Sequence, residues 1–483
     1  MTQLIVKPFA YLLYLSLFSI CSNANANSSS VFAMCEDNQQ HPELQHSLCT
    51  TIDVPLNHLE ADNQASIELF VRKFPARKTR QGSIWLIAGG PGESGASFYS
   101  NIDVFQRTFP TLDILIPDHR GTGFSSSICP EESSDSLGGK ALVGEEWGSC
   151  FGHMFANQSY VQSFTISNAA KDLALLINTM NERGKTYIYG VSYGTQLILR
   201  LLQFSQGQID GVILDSLVPL QNDTTYELSQ RSFIVNDIGN QLLKSCDSDP
   251  LCKTDKPIGQ ILSELLNARP MLSDYADGLQ SAPLSNVLGS LLDVPHLRTR
   301  ISPLVKGLAN NDVSLLKQTL DDLQQFYSKF DKGYKNFGSS IPLVQVISSS
   351  ENNLRTDLSK EAVTEEEKPL LFTSPLPKLL AGNSMPTYQR DIYFAKLPTN
   401  IPPTLVLHGT LGPKTHVKGA IKHVEQLKPS GDIRMVQIVN APHYIGLVAP
   451  NCFWTLASKF VKQQALETKC REDSLNLHLA SRQ

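Results

Sequence analysis

Between Leu48 and Asp215, short runs rich in β-branched residues alternate with stretches whose apolar residues recur at helical spacing. That alternation predicts a mostly parallel sheet with helices on both faces. Residues 48–54 and 67–74 read as an opening pair of strands. The shorter runs 84–88, 112–116, 187–189 and 212–214 end in Gly, Asp or Pro and suit buried central strands. Helical spacing over 169–180 and 195–204 separates some of them, and Gly207 stops the second. After Asp215 the alternation ceases. The stretch 216–397 reads as helices and loops, 315–326 for example, before strand-like runs return at 404–407 and 433–439. The expected organisation is a sheet core in two parts, 27–215 and 398–483, with a helical insertion, 216–397, between the sixth and seventh main strands.

Of the 483 residues, 41% are hydrophobic and 18% charged, as in a soluble globular protein. The net charge of −5 is spread out, with no basic stripe of the kind nucleic acid requires. The acidic run Glu365-Glu366-Glu367 reads as a solvated face, not a metal site. At the N-terminus, Lys7, an apolar stretch over 10–20 and Ala24-Asn25-Ala26 together predict an export signal, 1–26, with cleavage near Asn27. No later segment is long and apolar enough to predict stable membrane insertion. Beyond Cys21, eight cysteines form four close pairs along the chain: Cys35 and Cys49, Cys129 and Cys150, Cys246 and Cys252, Cys452 and Cys470. Their spacing is not that of a zinc site. Four local disulfides and a periplasmic or extracellular location are expected.

Gly190-Val191-Ser192-Tyr193-Gly194 follows a strand and opens a helix. A nucleophilic serine needs that setting, because a sharp turn lifts its hydroxyl above the sheet while flanking glycines let neighbouring backbone pass. Upstream, Ala88-Gly89-Gly90-Pro91-Gly92-Glu93-Ser94-Gly95 follows a central strand, where a glycine loop can bring an N–H to a substrate carbonyl. Pro91 has no N–H to give, so Gly90 and Tyr193 are the expected oxyanion donors. No Gly-Lys-Ser/Thr follows, which argues against a phosphate loop. His443 in Asn440-Ala441-Pro442-His443 follows the last strand, where a general base belongs. Asp118-His119-Arg120-Gly121-Thr122-Gly123 reads as a buried polar scaffold beside the site.

These motifs resemble peptidase family S33, and within it the exported tripeptidyl- and prolyl-aminopeptidase-like hydrolases. The likeness runs from about Cys35 to Cys470 through the Gly-Gly-Pro-Gly-x-Ser-Gly loop, Asp-x-Arg-Gly-x-Gly, Gly-x-Ser-Tyr-Gly, the terminal Pro-His and the Cys246–Cys252 loop. It implies a lidded α/β-hydrolase fold and release of short units from peptide N-termini, with no metal or organic cofactor. A carboxylesterase taking small esters would share the same catalytic set. Lid carboxylates, Asp223, Glu227 and Asp237, and Glu93 of the glycine loop are the candidates for holding a substrate ammonium.

One position departs from the resemblance. The triad acid belongs in a His-Gly-x-x-Asp-Pro-like turn, and here that turn reads His408-Gly409-Thr410-Leu411-Gly412-Pro413. Gly412 stands where the aspartate is expected. Asp215, at the end of a neighbouring strand, can replace it or can serve as a buried partner for backbone amides. Otherwise the protein is a slow enzyme, or a binding protein that keeps the pocket without the chemistry. An aspartate at 412 is expected to be tolerated and to raise turnover.

Overall fold

Buried runs become strands because helices cover both faces of the sheet. The computed structural model describes residues 32–475 apart from 61–63, 134, 181, 205–208, 250, 251 and 253. The expected export signal and Gly207 therefore lie outside the described residues. The strands are β1 (Ala33–Met34), β2 (Leu48–Pro55), β3 (Ser66–Phe74), β4 (Gly82–Ile87), β5 (Leu112–Pro117), β6 (Lys185–Val191), β7 (Gly211–Asp215), β8 (Thr404–Gly409), β9 (Ile433–Val439) and β10 (Lys469–Arg471). They form one sheet in the order β1-β2-β3-β5-β4-β6-β7-β8-β9-β10. From β5 through β10 every neighbour is parallel, while β1, β2 and β3 join antiparallel.

Alternate side chains of one strand enter different cores. Trp85 and Ile87 of β4 join Ile188, Val212, Leu214 and Val406, packed beneath helices Ile166–Met180 and Tyr193–Phe204. Ile84 and Leu86 join Tyr189, Ile213, Leu405 and Leu407 on the opposite face, against helices Ile102–Thr108 and Pro450–Val461. A strand buried on both faces loses its polar alternation, which explains the continuous apolar runs. β1 and β10 lack that signal because they are two- and three-residue edge strands. Disulfides Cys35–Cys49 and Cys452–Cys470 fasten them, and Cys129–Cys150 and Cys246–Cys252 complete the four local bridges.

Between β7 and β8 the chain forms helices from Arg231–Asp247 to Leu376–Leu380. Many share a core of their own that includes Ile238, Leu262, Leu288 and Leu304. Helix Ile341–Glu351 differs: its Leu343, Val346 and Ile347 pack onto the sheet domain's core. Among the described residues, no helix is long and apolar enough to cross a membrane. The result is an α/β-hydrolase fold with a helical cover.

Candidate active site

Register brings the chemistry to one edge of the sheet. Val191 pairs with Asp215, and Asp215 with Leu407, so the loops after β6, β7 and β8 leave side by side. Ligands of parallel α/β sheets bind at such carboxyl ends. Ser192 follows β6 with φ 55°, in the left-handed region that non-glycine residues rarely enter. Its N–H is held by the Asp215 carbonyl at 3.0 Å. The flanking glycines are required by space: a Cβ on Gly194 would come within 2.5 Å of the Ile87 carbonyl, and one on Gly190 within 2.7 Å of the Gly194 carbonyl.

The glycine loop passes directly beside the serine. A Cβ on Gly89 would lie 3.2 Å from that of Ser192, and Gly90 has φ 108°. The Gly90 and Tyr193 amides donate to no other described group and, with Ser192, border one small cavity. Asp118 stiffens this loop. Its carboxylate accepts from the N–H of Gly95 (2.7 Å), Ser94 Oγ (3.0 Å), the N–H of Phe124 (2.9 Å) and Asn336 Nδ2 (3.1 Å). Arg120 is buried on Asp172, so the Asp118–Gly123 segment is the polar scaffold its composition suggested. Burial pushes the His119 imidazole down to about 4, which keeps it neutral there.

His443 sits between β9 and the short helix Ile445–Val448, buried, and lines the same cavity of about 440 Å³ as Ser192. Its Nδ1 meets Thr415 Oγ1 at 3.2 Å. A threonine hydroxyl thus occupies the ring position at which a triad presents its carboxylate. Thr415 is fixed from behind, because His408 Nε2 donates to its carbonyl at 3.1 Å. Burial first, and then the Lys414 ammonium, push the His443 imidazole down to about 3. Such an imidazole is neutral and free to accept a proton at pH 7, but it is a weak base.

Asp215 is fully buried, and its bonds go elsewhere. It accepts from the N–H groups of Ile445 and Gly446 (both 2.8 Å), from Tyr189 Oη (2.7 Å) and from Ser216 Oγ (2.9 Å). Ser216 Oγ in turn accepts from the Tyr444 N–H at 2.9 Å. The geometry is that of a partner for backbone amides, clamping the chain just after His443. Gly412 lies in a tight turn where an added Cβ would stand 2.5 Å from the Thr415 carbonyl. An aspartate there, expected from the sequence to be tolerated, must therefore shift the turn at Thr415.

The lid carboxylates are also occupied. Glu227 caps its own turn, accepting from the Ser229 N–H at 2.8 Å and from the Ser229 hydroxyl. Asp223 pairs with Lys422 (2.8 Å), and Asp237 with His416 (2.9 Å). Glu93 alone among these candidates borders the large cavity. Among the cavity residues that escaped the sequence reading are Asp293 of the lid and Lys414 of the β8 loop, which pair at 2.7 Å. Burial works against the Asp293 carboxylate, yet Lys414 holds it below the usual range. Nothing local in the sequence joins two residues so far apart.

Comparison with known proteins agrees with this architecture. Residues 83–256 match the family model described as alpha/beta hydrolase fold. YuaR of Escherichia coli (strain K12), provisionally named a hydrolase, is 22% identical over 345 residues, which cover 64% of this chain and 68% of that one. The tripeptidyl aminopeptidase of Streptomyces lividans is 25% identical over 198 residues, 36% of each chain. Serine protease Hip1 of Mycobacterium tuberculosis (strain ATCC 25618 / H37Rv) is 25% identical over 227 residues, 43% of this chain and 42% of that one. The matches to these two peptidases thus span less than half of their length. A thermophilic esterase from Thermogutta terrifontis is similar in structure at a TM-score of 0.36 and 12% identity, covering 85% of this chain and 98% of that one. With the family match running from β4 past the Ser192 turn and the strand order of the sheet, the chain is an α/β-hydrolase in fold.

Proposed function

We propose that this protein is an exported serine hydrolase that releases short units from peptide N-termini through an acyl-enzyme on Ser192. One observation carries the reading: Ser192 stands at a left-handed turn, borders one small cavity with the free amides of Gly90 and Tyr193, and lines the larger cavity together with His443. Ser192 Oγ attacks the scissile carbonyl while His443 Nε2 takes its proton. The two amides hold the oxyanion, and His443 then protonates the departing amine. Water, activated by the same imidazole, releases the acyl group. Glu93, in the wall of the cavity, receives the substrate ammonium. The names of the two peptidase relatives and the four disulfides of an oxidising compartment support a secreted peptidase.

The hydroxyl of Thr415 on His443 Nδ1 predicts slow turnover, since it gives the imidazolium no opposite charge. The same observation favours, as the second reading, a binding protein that retains the cavity alone. The peptidase assignment is tested with a dipeptide anilide and its N-acetylated twin. The unblocked substrate is expected to be cleaved faster, because the acetyl group removes the charge that Glu93 receives. Equal rates, or faster cleavage of simple acyl esters, would show a carboxylesterase instead.

A further inference from the structure

Four acidic or basic side chains border the large cavity together with His443: Glu93, Arg231, Asp293 and Lys414. Asp293 and Lys414 neutralise each other at 2.7 Å. Glu93 and Arg231 do not: neither side chain has a hydrogen bond or ion pair with any described residue, and Arg231 Nε is buried without an acceptor. The remaining wall is largely apolar and includes Phe326, Phe330, Phe337, Val344 and Leu447. Arg231 opens helix Arg231–Asp247 and also borders the small cavity that holds Ser192 and the Gly90 and Tyr193 amides.

A guanidinium left without a partner in a desolvated wall is costly, and a ligand anion removes the cost. Burial pushes this one down to about 10, so it stays charged at pH 7. Arginine's planar fork matches a carboxylate through two parallel bonds. Burial pushes the Glu93 carboxyl up, and an incoming ammonium favours its ionised form, so this carboxyl and the free guanidinium on apolar walls complement a zwitterion carrying apolar side chains. A volume of about 440 Å³ lies in the small-molecule range. Building on the peptidase reading above, we propose that the cavity takes short free peptides of two or three apolar residues, whose C-terminal carboxylate is bound by Arg231 while the ammonium faces Glu93. Arg231 then selects against longer chains, because only a short peptide brings its C-terminus to this wall while its first carbonyl lies at Ser192.

The test measures binding without turnover. Leu-Phe and its C-terminal amide, Leu-Phe-NH2, are titrated calorimetrically into Ser192→Ala protein. The free acid is expected to bind about 10- to 100-fold more tightly, the range for a charge-assisted hydrogen bond. Adding Arg231→Gln should abolish that preference, and Arg231→Lys should keep part of it, with melting temperatures confirming that both variants fold. Equal affinity for the two ligands, a preference that survives Arg231→Gln, or no binding of either ligand overturns the assignment. Failure of the catalytic reading looks different: the acid is still preferred through Arg231, while protein with Ser192 intact leaves both peptides and esters uncleaved.

Discussion

Thr415→Asp should raise turnover by about 10²- to 10⁴-fold, the span over which a triad acid acts. Thr415 Oγ1 already lies 3.2 Å from His443 Nδ1, so an aspartate places a carboxylate oxygen at the ring with little movement of the main chain. That oxygen accepts the Nδ1–H bond, fixes the tautomer that leaves Nε2 free, and stabilises the imidazolium formed as Ser192 attacks. The gain should fall on kcat with KM little changed, because the imidazolium exists only along the reaction path. The sign of the pH effect follows from His443. In the starting protein its imidazole is held at about 3, so the acid limb of kcat/KM lies far below pH 6 wherever the fold persists. A neighbouring carboxylate raises that value, and the limb moves toward neutral pH. Gly412→Asp is the informative contrast. Its Cβ meets the Thr415 carbonyl at 2.5 Å, so the turn must open at a cost of about 1–3 kcal/mol. That opening displaces Thr415 itself, and no comparable gain is expected. A folded Thr415→Asp protein with unchanged kcat and unchanged pH limb would contradict this account of His443.

Asp215→Ala should lower stability by about 4 kcal/mol and remove activity together with it. The side chain is fully buried and receives four donors, so its loss leaves two backbone N–H groups and two hydroxyls without an acceptor. Unmet buried donors cost about 1–3 kcal/mol each, partly relieved by entering water. Because Ile445 and Gly446 follow His443 by two and three residues, the ring loses its placement as the helix start loosens. Asp215 is therefore a positioning residue. Urea denaturation reads the loss as a lower midpoint at unchanged slope. If Asp215 were instead the proton-relay acid, Asp215→Asn would abolish turnover while leaving that midpoint in place. The present geometry predicts the reverse pattern, in which stability and activity fall in step.

Much of this architecture is legible from local sequence, for identifiable reasons. Strands buried on both faces announce themselves as apolar runs, as β5 and β8 do, and the partly exposed β9 also spans the residues its pattern predicts. Ser192 and its glycines stand out because a sharp strand-to-helix turn admits few residue types. His443 is legible because it lies in the short loop that follows the last long strand, where a general base belongs. The edge strands β1 and β10 are not legible, since two or three residues carry no period and take their place from disulfides. Thr415 is equally hidden. Nothing in its type suggests a partner for imidazole, and only the tight turn at Gly412, with the His408 bond, brings its hydroxyl to Nδ1. Arg231 and Asp293 come from the lid, where helix packing rather than spacing decides which side chains reach the cavity. Glu227 shows the opposite failure: an acid at the right place in the chain, used to cap a turn.

The nucleophilicity of Ser192 is the central claim, and fluorophosphonate labelling measures it most directly. Intact-mass analysis after prolonged incubation should show one phosphonyl adduct per chain. Peptide mapping should place it on Ser192, and Ser192→Ala protein should remain unmodified. Labelling is expected to be slow, and faster in Thr415→Asp, because the probe reports proton transfer to His443. A folded protein that stays unlabelled, or that carries the adduct on a residue other than Ser192, would contradict the hydrolase mechanism and leave the binding protein in its place.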